Sequence, residues 1–232
     1  MSTHLVEDDL FGPAAPGLGW VPARTVGGDF FDVIKLNKDK TAIVIGDVAD
    51  KGVPSAIYMA RIHALIYSEA THHTTPAEVL HSVNYHLMKI NESSLFVTVL
   101  YGILDRKTGE FVYARAGHEL PILWLKGELA QLTLWKEGQL LGVLEQPVID
   151  EQRLTISPGG MMLLYTDGIT EARNQAGEFF GIERLLTEFS KLKKKSGQEV
   201  CDCLLASLAA FRGEAHQEDD VTLVAVHAKN RM

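Results

Sequence analysis

Three apolar runs of this chain begin or end on aspartate. AIVIG (42–46) runs directly into Asp47, MMLLYT (161–166) into Asp167 and Gly168, and VTLVAV (221–226) is preceded by Asp219 and Asp220. A fourth acid, Asp29, follows Gly27 and Gly28 and opens FFDVI. Segments this apolar are driven to the interior, so their ends converge in space and acids at those ends converge with them. Two carboxylates about 4 Å apart repel by roughly 4 kcal/mol at an effective dielectric near 20. Several together would consume much of a typical domain stability of about 5–15 kcal/mol. Lys51 is the only Lys or Arg inside these motifs, which makes a bound cation the expected neutraliser. Oxygen donors without His or Cys at ligand spacing select a hard ion, Mg²⁺ or Mn²⁺, with Ca²⁺ less suited to chemistry. Taken singly, an Asp in turn context is a turn former, and Asp32, Asp39 and Asp105 are read that way.

The elements that must position these acids are legible from periodicity. WVPARTV, FFDVIKL and TAIVIGDV are rich in β-branched and aromatic residues and are expected strands. After DKG the apolar period changes to three and four, which predicts a helix from Val53 to Ala70 with Pro54 in its first turn. A second helix is predicted to start behind Thr75, capped reciprocally with Glu78, and to bury Val79, Leu80, Val83, Leu87 and Ile90. LFVTVLYGIL, EFVYARAG, PILWL, LAQLTLW, QRLTI and MMLLY are expected strands, and the SPGG between the last two a turn. MMLLY is continuous enough to be buried on both faces. Helices over 182–193 and 198–211 precede a last strand, VTLVAVHA. Consecutive strands joined by turns imply antiparallel sheet and an α+β class rather than a doubly wound fold. Residues 1–19 read as an irregular lead-in and 20–232 as one domain, since no linker or repeat divides them.

Of the 232 residues 46% are hydrophobic, ample for a core, and the net charge of −8 argues against a nucleic-acid partner. The longest apolar runs are strand-sized and the N-terminus lacks a signal pattern, so no membrane association and a cytoplasmic location are expected. Cys201 and Cys203 lie one residue apart in a predicted helix and are expected to be reduced and structural.

VGGDFFDV, GDVADKGVPSA, FVTVLYGILD, ARAGHELP, LLYTDGITEARN, FGIERL and DDVTLVAV resemble, in order and approximate spacing, the motifs of one phosphatase family. It is the bacterial stage II sporulation branch of the metal-dependent (PPM, type 2C) serine/threonine protein phosphatases. The resemblance runs from about Trp20 to Ala228. It implies a four-layer αββα sandwich, two antiparallel β-sheets face to face and flanked by helices, with a two-metal centre of Mn²⁺ or Mg²⁺. By motif, Asp47 would bridge the metals with the Val48 carbonyl on one of them, Asp167 and Asp219 would hold the second, and Asp29 would hold or orient a metal-bound water. Asp220 would stand behind the ligands, and His118 would donate a proton to the leaving oxygen or be structural. Thr166, Thr170 and Glu171 would shape the turn after Asp167, while Arg115 would contact phosphate or pair with an acid.

The implied function is hydrolysis of a phosphoserine or phosphothreonine by metal-activated water, on an anti-anti-sigma factor of a partner-switching pathway. The alternative is a weakly active or inactive phosphoprotein-binding module on the same scaffold. Asp50 makes that alternative conceivable, because the family usually has a small residue there, commonly glycine, whereas retention of Asp29, Asp47, Asp167 and Asp219 favours catalysis. The chain reads as a stand-alone enzyme or a catalytic fragment, with a second copy or an upstream sensory protein as further candidate partners.

Overall fold

The computed structural model describes residues 14–23, 27–90, 95–125, 128–131, 138–193 and 195–228. Its strands form two five-stranded sheets, antiparallel throughout, and the chain divides into two compact units with one sheet each.

The first unit contains β2 (Phe30–Lys35), β3 (Lys40–Val48), β4 (Val97–Asp105), β5 (Glu110–Ala116) and β8 (Asp150–Thr155), in the spatial order β2-β3-β4-β5-β8. Helices α1 (Val53–Glu69) and α2 (Pro76–Ile90) pack on this sheet and on each other. Ala42 and Val44 of β3 meet Ile62 and Ile66 of α1 and Val83 and Leu87 of α2 in one apolar cluster. Ile43 and Ile45, on the opposite face of the strand, are fully buried as well, which is why this stretch reads as continuously apolar. The predicted cap of α2 is present: the Glu78 N–H donates to Thr75 Oγ1 at 3.3 Å, and the Thr75 N–H to Glu78 Oε2 at 3.1 Å. Val79, Leu80, Val83 and Leu87 are buried as expected, while the side chain of Ile90 lies outside the described residues.

The second unit contains β1 (Ala14–Val21), β6 (Ile122–Leu125), β7 (Glu128–Gln131), β9 (Met161–Tyr165) and β10 (Val221–Ala228), in the order β1-β10-β9-β6-β7. It also holds the single-turn α3 (Asp167–Thr170), α4 (Gly181–Ser190) and α5 (Gly197–Arg212). Helix α5 packs on β1 and β10, and α4 packs against α5. β9 is buried at every position, as its composition predicts. A capping box at Ser196 and Glu199 starts α5. Cys201 is buried and Cys203 half-buried, both as free thiols, and burial pushes the Cys201 thiol up to about 12.

The sequence reading needs two corrections. Residues 14–19 are no irregular lead-in, because β1 pairs with β10 along its whole length, from Ala14 opposite Ala228 to Val21 opposite Val221. The prolines and glycines misled here: β1 is an edge strand, where Pro16 is tolerated, and a Cβ at Gly17 would stand 1.8 Å from the Gly197 backbone. The boundary drawn at residue 20 therefore falls inside a strand. Secondly, Asp32 is no turn former; it pairs with Val44 across β2 and β3, and its carboxylate holds His63 of α1 at 2.8 Å. Asp105 does form its turn, accepting the N–H groups of Lys107 and Thr108. SPGG forms its predicted turn, the Gly160 N–H donating to the Ser157 carbonyl at 2.7 Å, although the strands it joins, β8 and β9, belong to different sheets. The predicted strand extensions over 24–26 and 132–135 lie outside the described residues. No helix among the described residues is long and apolar enough to cross a membrane.

Candidate metal centre

Asp47 is the penultimate residue of β3 and stands directly opposite Thr98 of β4. The Gly27–Gly28 segment passes so close that a Cβ at Gly28 would lie 2.7 Å from the Val48 carbonyl oxygen and 3.3 Å from Asp47 Oδ1. The Val48 N–H donates to the Gly28 carbonyl at 3.4 Å. Glycine is thus what lets the segment bearing Asp29, itself only 4% exposed, lie against Asp47 and Val48. Beyond them Asp50 adopts φ 74°, the only positive φ of a non-glycine among the described residues, and its Oδ1 accepts the Lys51 N–H at 2.8 Å.

His118 belongs to the same unit. It is buried, and its Nδ1 makes a 2.9 Å hydrogen bond with Thr98 Oγ1. Arg115, left open by sequence between phosphate and acid, pairs with an acid: its Nη2 lies 3.2 Å from Asp150 Oδ2, with both side chains buried. Its Nη1 donates to the His118 carbonyl at 2.5 Å.

In the other unit, β9 delivers Thr166, whose hydroxyl accepts the Thr222 N–H at 3.0 Å and whose own N–H donates to the Thr222 carbonyl at 3.1 Å. This ties the end of β9 to the start of β10. Asp167 then opens α3, where the Thr170 hydroxyl and the Glu171 N–H both donate to its carbonyl. A Cβ at Gly168 would lie 3.5 Å from Asp219 Cβ, so the TDG and DDV turns touch. Burial first, then the charges of Glu171, Asp219 and Glu119, push the Asp167 carboxyl up to about 6. Asp219 Oδ1 accepts the Asp220 N–H, and Asp220 Oδ1 accepts the Ala23 N–H at 2.7 Å.

Sequence reasoning passed over Glu119, which adds charge around Asp167 and accepts the Tyr165 hydroxyl at 3.5 Å. Its adjacency to His118 was the available signal. Thr98 and Asp150 were also missed, since nothing in a strand residue's type announces its cross-strand partner.

The family described as stage II sporulation protein E (SpoIIE) matches residues 37–229, more than four-fifths of the chain. The chain belongs to the SpoIIE family. Among relatives of this SpoIIE domain, protein IcfG of Synechocystis is 31% identical over 89% of the chain and 36% of its own length. The phosphoserine phosphatase RsbU of Bacillus subtilis is 28% identical over 90% of the chain and 62% of its own length. The chain thus spans between about a third and two-thirds of these relatives. Its fold is that of the SiaA PP2C domain of Pseudomonas aeruginosa, with a TM-score of 0.80 and 23% identity over 91% of this chain and 85% of that one. That likeness accords with the α+β class of two antiparallel sheets with helices. A more distant fold neighbour, RsbX, has been solved in complex with magnesium.

SpoIIE-type phosphatases are metal-dependent, and the donors in this SpoIIE domain fit a hard divalent cation. All are oxygens, and Asp167 is a carboxyl that burial first and then its acidic neighbours make costly to ionise. Among the described residues no three His, Cys, Asp or Glu side chains are grouped so as to hold a metal ion. What the structure shows is Asp29, Asp47 and Val48 assembled in one unit and Asp167, Asp219 and Asp220 in the other.

Proposed function

We propose that this domain is a Mn²⁺- or Mg²⁺-dependent protein serine/threonine phosphatase. The observation that carries the reading is the Asp167 carboxyl, buried and set beside Glu171, Asp219 and Glu119 at a cost that a divalent cation would turn into a gain. The proposed ligands are Asp29, Asp47, the Val48 carbonyl, Asp167 and Asp219, with Asp220 holding the backbone behind them. When bound, two such ions neutralise phosphoryl oxygens and make water nucleophilic near neutral pH. Asp29 orients the attacking water, and His118 supplies a proton to the departing serine or threonine oxygen. Neither cysteine is needed: Cys201 is buried with a raised pKa, the reverse of an activated nucleophile.

For substrate we propose a phosphorylated anti-anti-sigma factor, hydrolysed in the cytoplasm. The support is the resemblance together with the phosphoserine phosphatase named among the relatives. The test is release of phosphate from p-nitrophenyl phosphate and from a phosphoserine anti-anti-sigma protein, with Mn²⁺ and with chelator. Metal-dependent release that Asp47→Asn abolishes supports the proposal. A folded wild-type chain that binds the phosphoprotein without hydrolysing it would instead be the binding module that Asp50 suggests.

A further inference from the structure

Thr98 links two features that the proposed chemistry uses separately. It faces Asp47 across the β3–β4 ladder, so the two side chains rise from the same face with Cβ atoms about 5 Å apart. Its hydroxyl is also the partner of His118 Nδ1 at 2.9 Å. The histidine is in turn fixed from its backbone side. Gly117 takes φ 70° and bridges to Val99, and the His118 carbonyl accepts Arg115 Nη1. Arg115 is anchored by Asp150, which Gln152 Nε2 also contacts at 3.0 and 3.2 Å. Arg115 and Asp150 face each other across β5 and β8, so the anchor is built into the same sheet that carries Asp47.

We infer that Thr98 is a positioning residue that sets His118 and the Asp47 carboxylate relative to each other, with the buried Arg115–Asp150 pair as its fixed base. A threonine hydroxyl donates once and accepts as well, so it can bind the imidazole and still present a second hydrogen-bonding direction towards the acid beside it. Residues that orient metal ligands in this manner change metal affinity about 10- to 100-fold when removed. The valine isostere keeps the shape and β-propensity of Thr98 and removes only the hydroxyl. Serine keeps the hydroxyl and removes only the methyl group.

The inference rests on the phosphatase reading above, and calorimetric Mn²⁺ titration combined with p-nitrophenyl phosphate kinetics separates the two. Thr98→Val should bind Mn²⁺ about 10-fold more weakly and lose about 10-fold or more in kcat at saturating metal, with KM little changed. Thr98→Ser should recover both to within about threefold of wild type. Circular dichroism melts of the two variants should agree to within a few degrees, which removes loss of fold as the cause. Thr98→Val with wild-type Mn²⁺ affinity, or Thr98→Ser as impaired as Thr98→Val, overturns the positioning role while the phosphatase stands. A folded wild-type chain that neither binds Mn²⁺ nor hydrolyses the substrate overturns both.

Discussion

The backbone at Gly168 touches the carbonyl oxygen of Asp220 so closely that a Cβ on residue 168 would sit 1.8 Å from it. Neither partner of that contact is a flexible side chain, so nothing can swing aside. Gly168→Ala must push the TDG turn away from the DDV turn, and overpacking of this kind costs about 1–3 kcal/mol. The expected result is a melting temperature lower by about 3–10 °C and weaker Mn²⁺ binding, because Asp167 and Asp219 move apart. A variant that melts with the wild type would show that the two turns are not locked together.

Asp167 carries a cost that its amide lacks. Its carboxyl is pushed from 3.8 to about 6, and a shift of that size corresponds to no more than about 3 kcal/mol of unfavourable interaction for the ionised form. In chelator at pH 7, Asp167→Asn should therefore be as stable as the wild type or more so, by thermal melting. Added Mn²⁺ should raise the wild-type melting temperature and leave that of the variant nearly unmoved. A variant that unfolds in chelator would mark Asp167 as a structural residue.

How much of this arrangement the sequence discloses depends on range. Periodicity discloses the strands, the two helices of the first unit and the Thr75–Glu78 cap, because each is decided within a few residues. It also isolates Asp47, Asp167 and Asp219, since an acid abutting a buried run stands out. It misreads residues 14–19, where proline and glycine serve an edge strand and a close helix contact rather than a loop. Glu119, Thr98 and Asp150 escape it because their roles come from register and long-range charge. Asp32 looks like a turn residue until α1 brings His63 to it.

That last contact has a pH signature. The hydrogen bond that His63 donates to Asp32 raises the His63 pKa above 6.5, burial opposes the shift, and the Asp32 charge adds to it. A raised pKa in the folded state means that the contribution is complete below about pH 6.5 and fades as pH climbs through the folded value. The imidazole is 40% exposed, so its worth is below about 1 kcal/mol. His63→Gln should lower the melting temperature relative to wild type by a few degrees or less near pH 5.5, with the difference shrinking by about pH 8.5. A gap that is constant with pH would assign the effect to packing against Phe30, whose ring meets His63 edge-on at 6.5 Å.

The backbone at Asp50 is one that glycine would adopt without strain. At φ 74° an ordinary side chain is strained, and aspartate is among the few that tolerate the region, here with its own carboxylate on the Lys51 N–H. Asp50→Gly relieves about 1 kcal/mol of strain but gives up that hydrogen bond and frees the unfolded chain, so stability should change by less than about 1 kcal/mol. Asp50→Val has no such compensation and should lose about 1–2 kcal/mol in urea denaturation. Removing the exposed negative charge three residues from Asp47 should also ease approach of an anionic phosphoprotein, lowering KM about two- to fivefold in dilute buffer. Because screening suppresses interactions between exposed charges, the improvement should vanish near about 0.5 M salt. An improvement that persists there would locate the effect in loop geometry instead, and one that never appears would leave Asp50 no part in keeping substrate away.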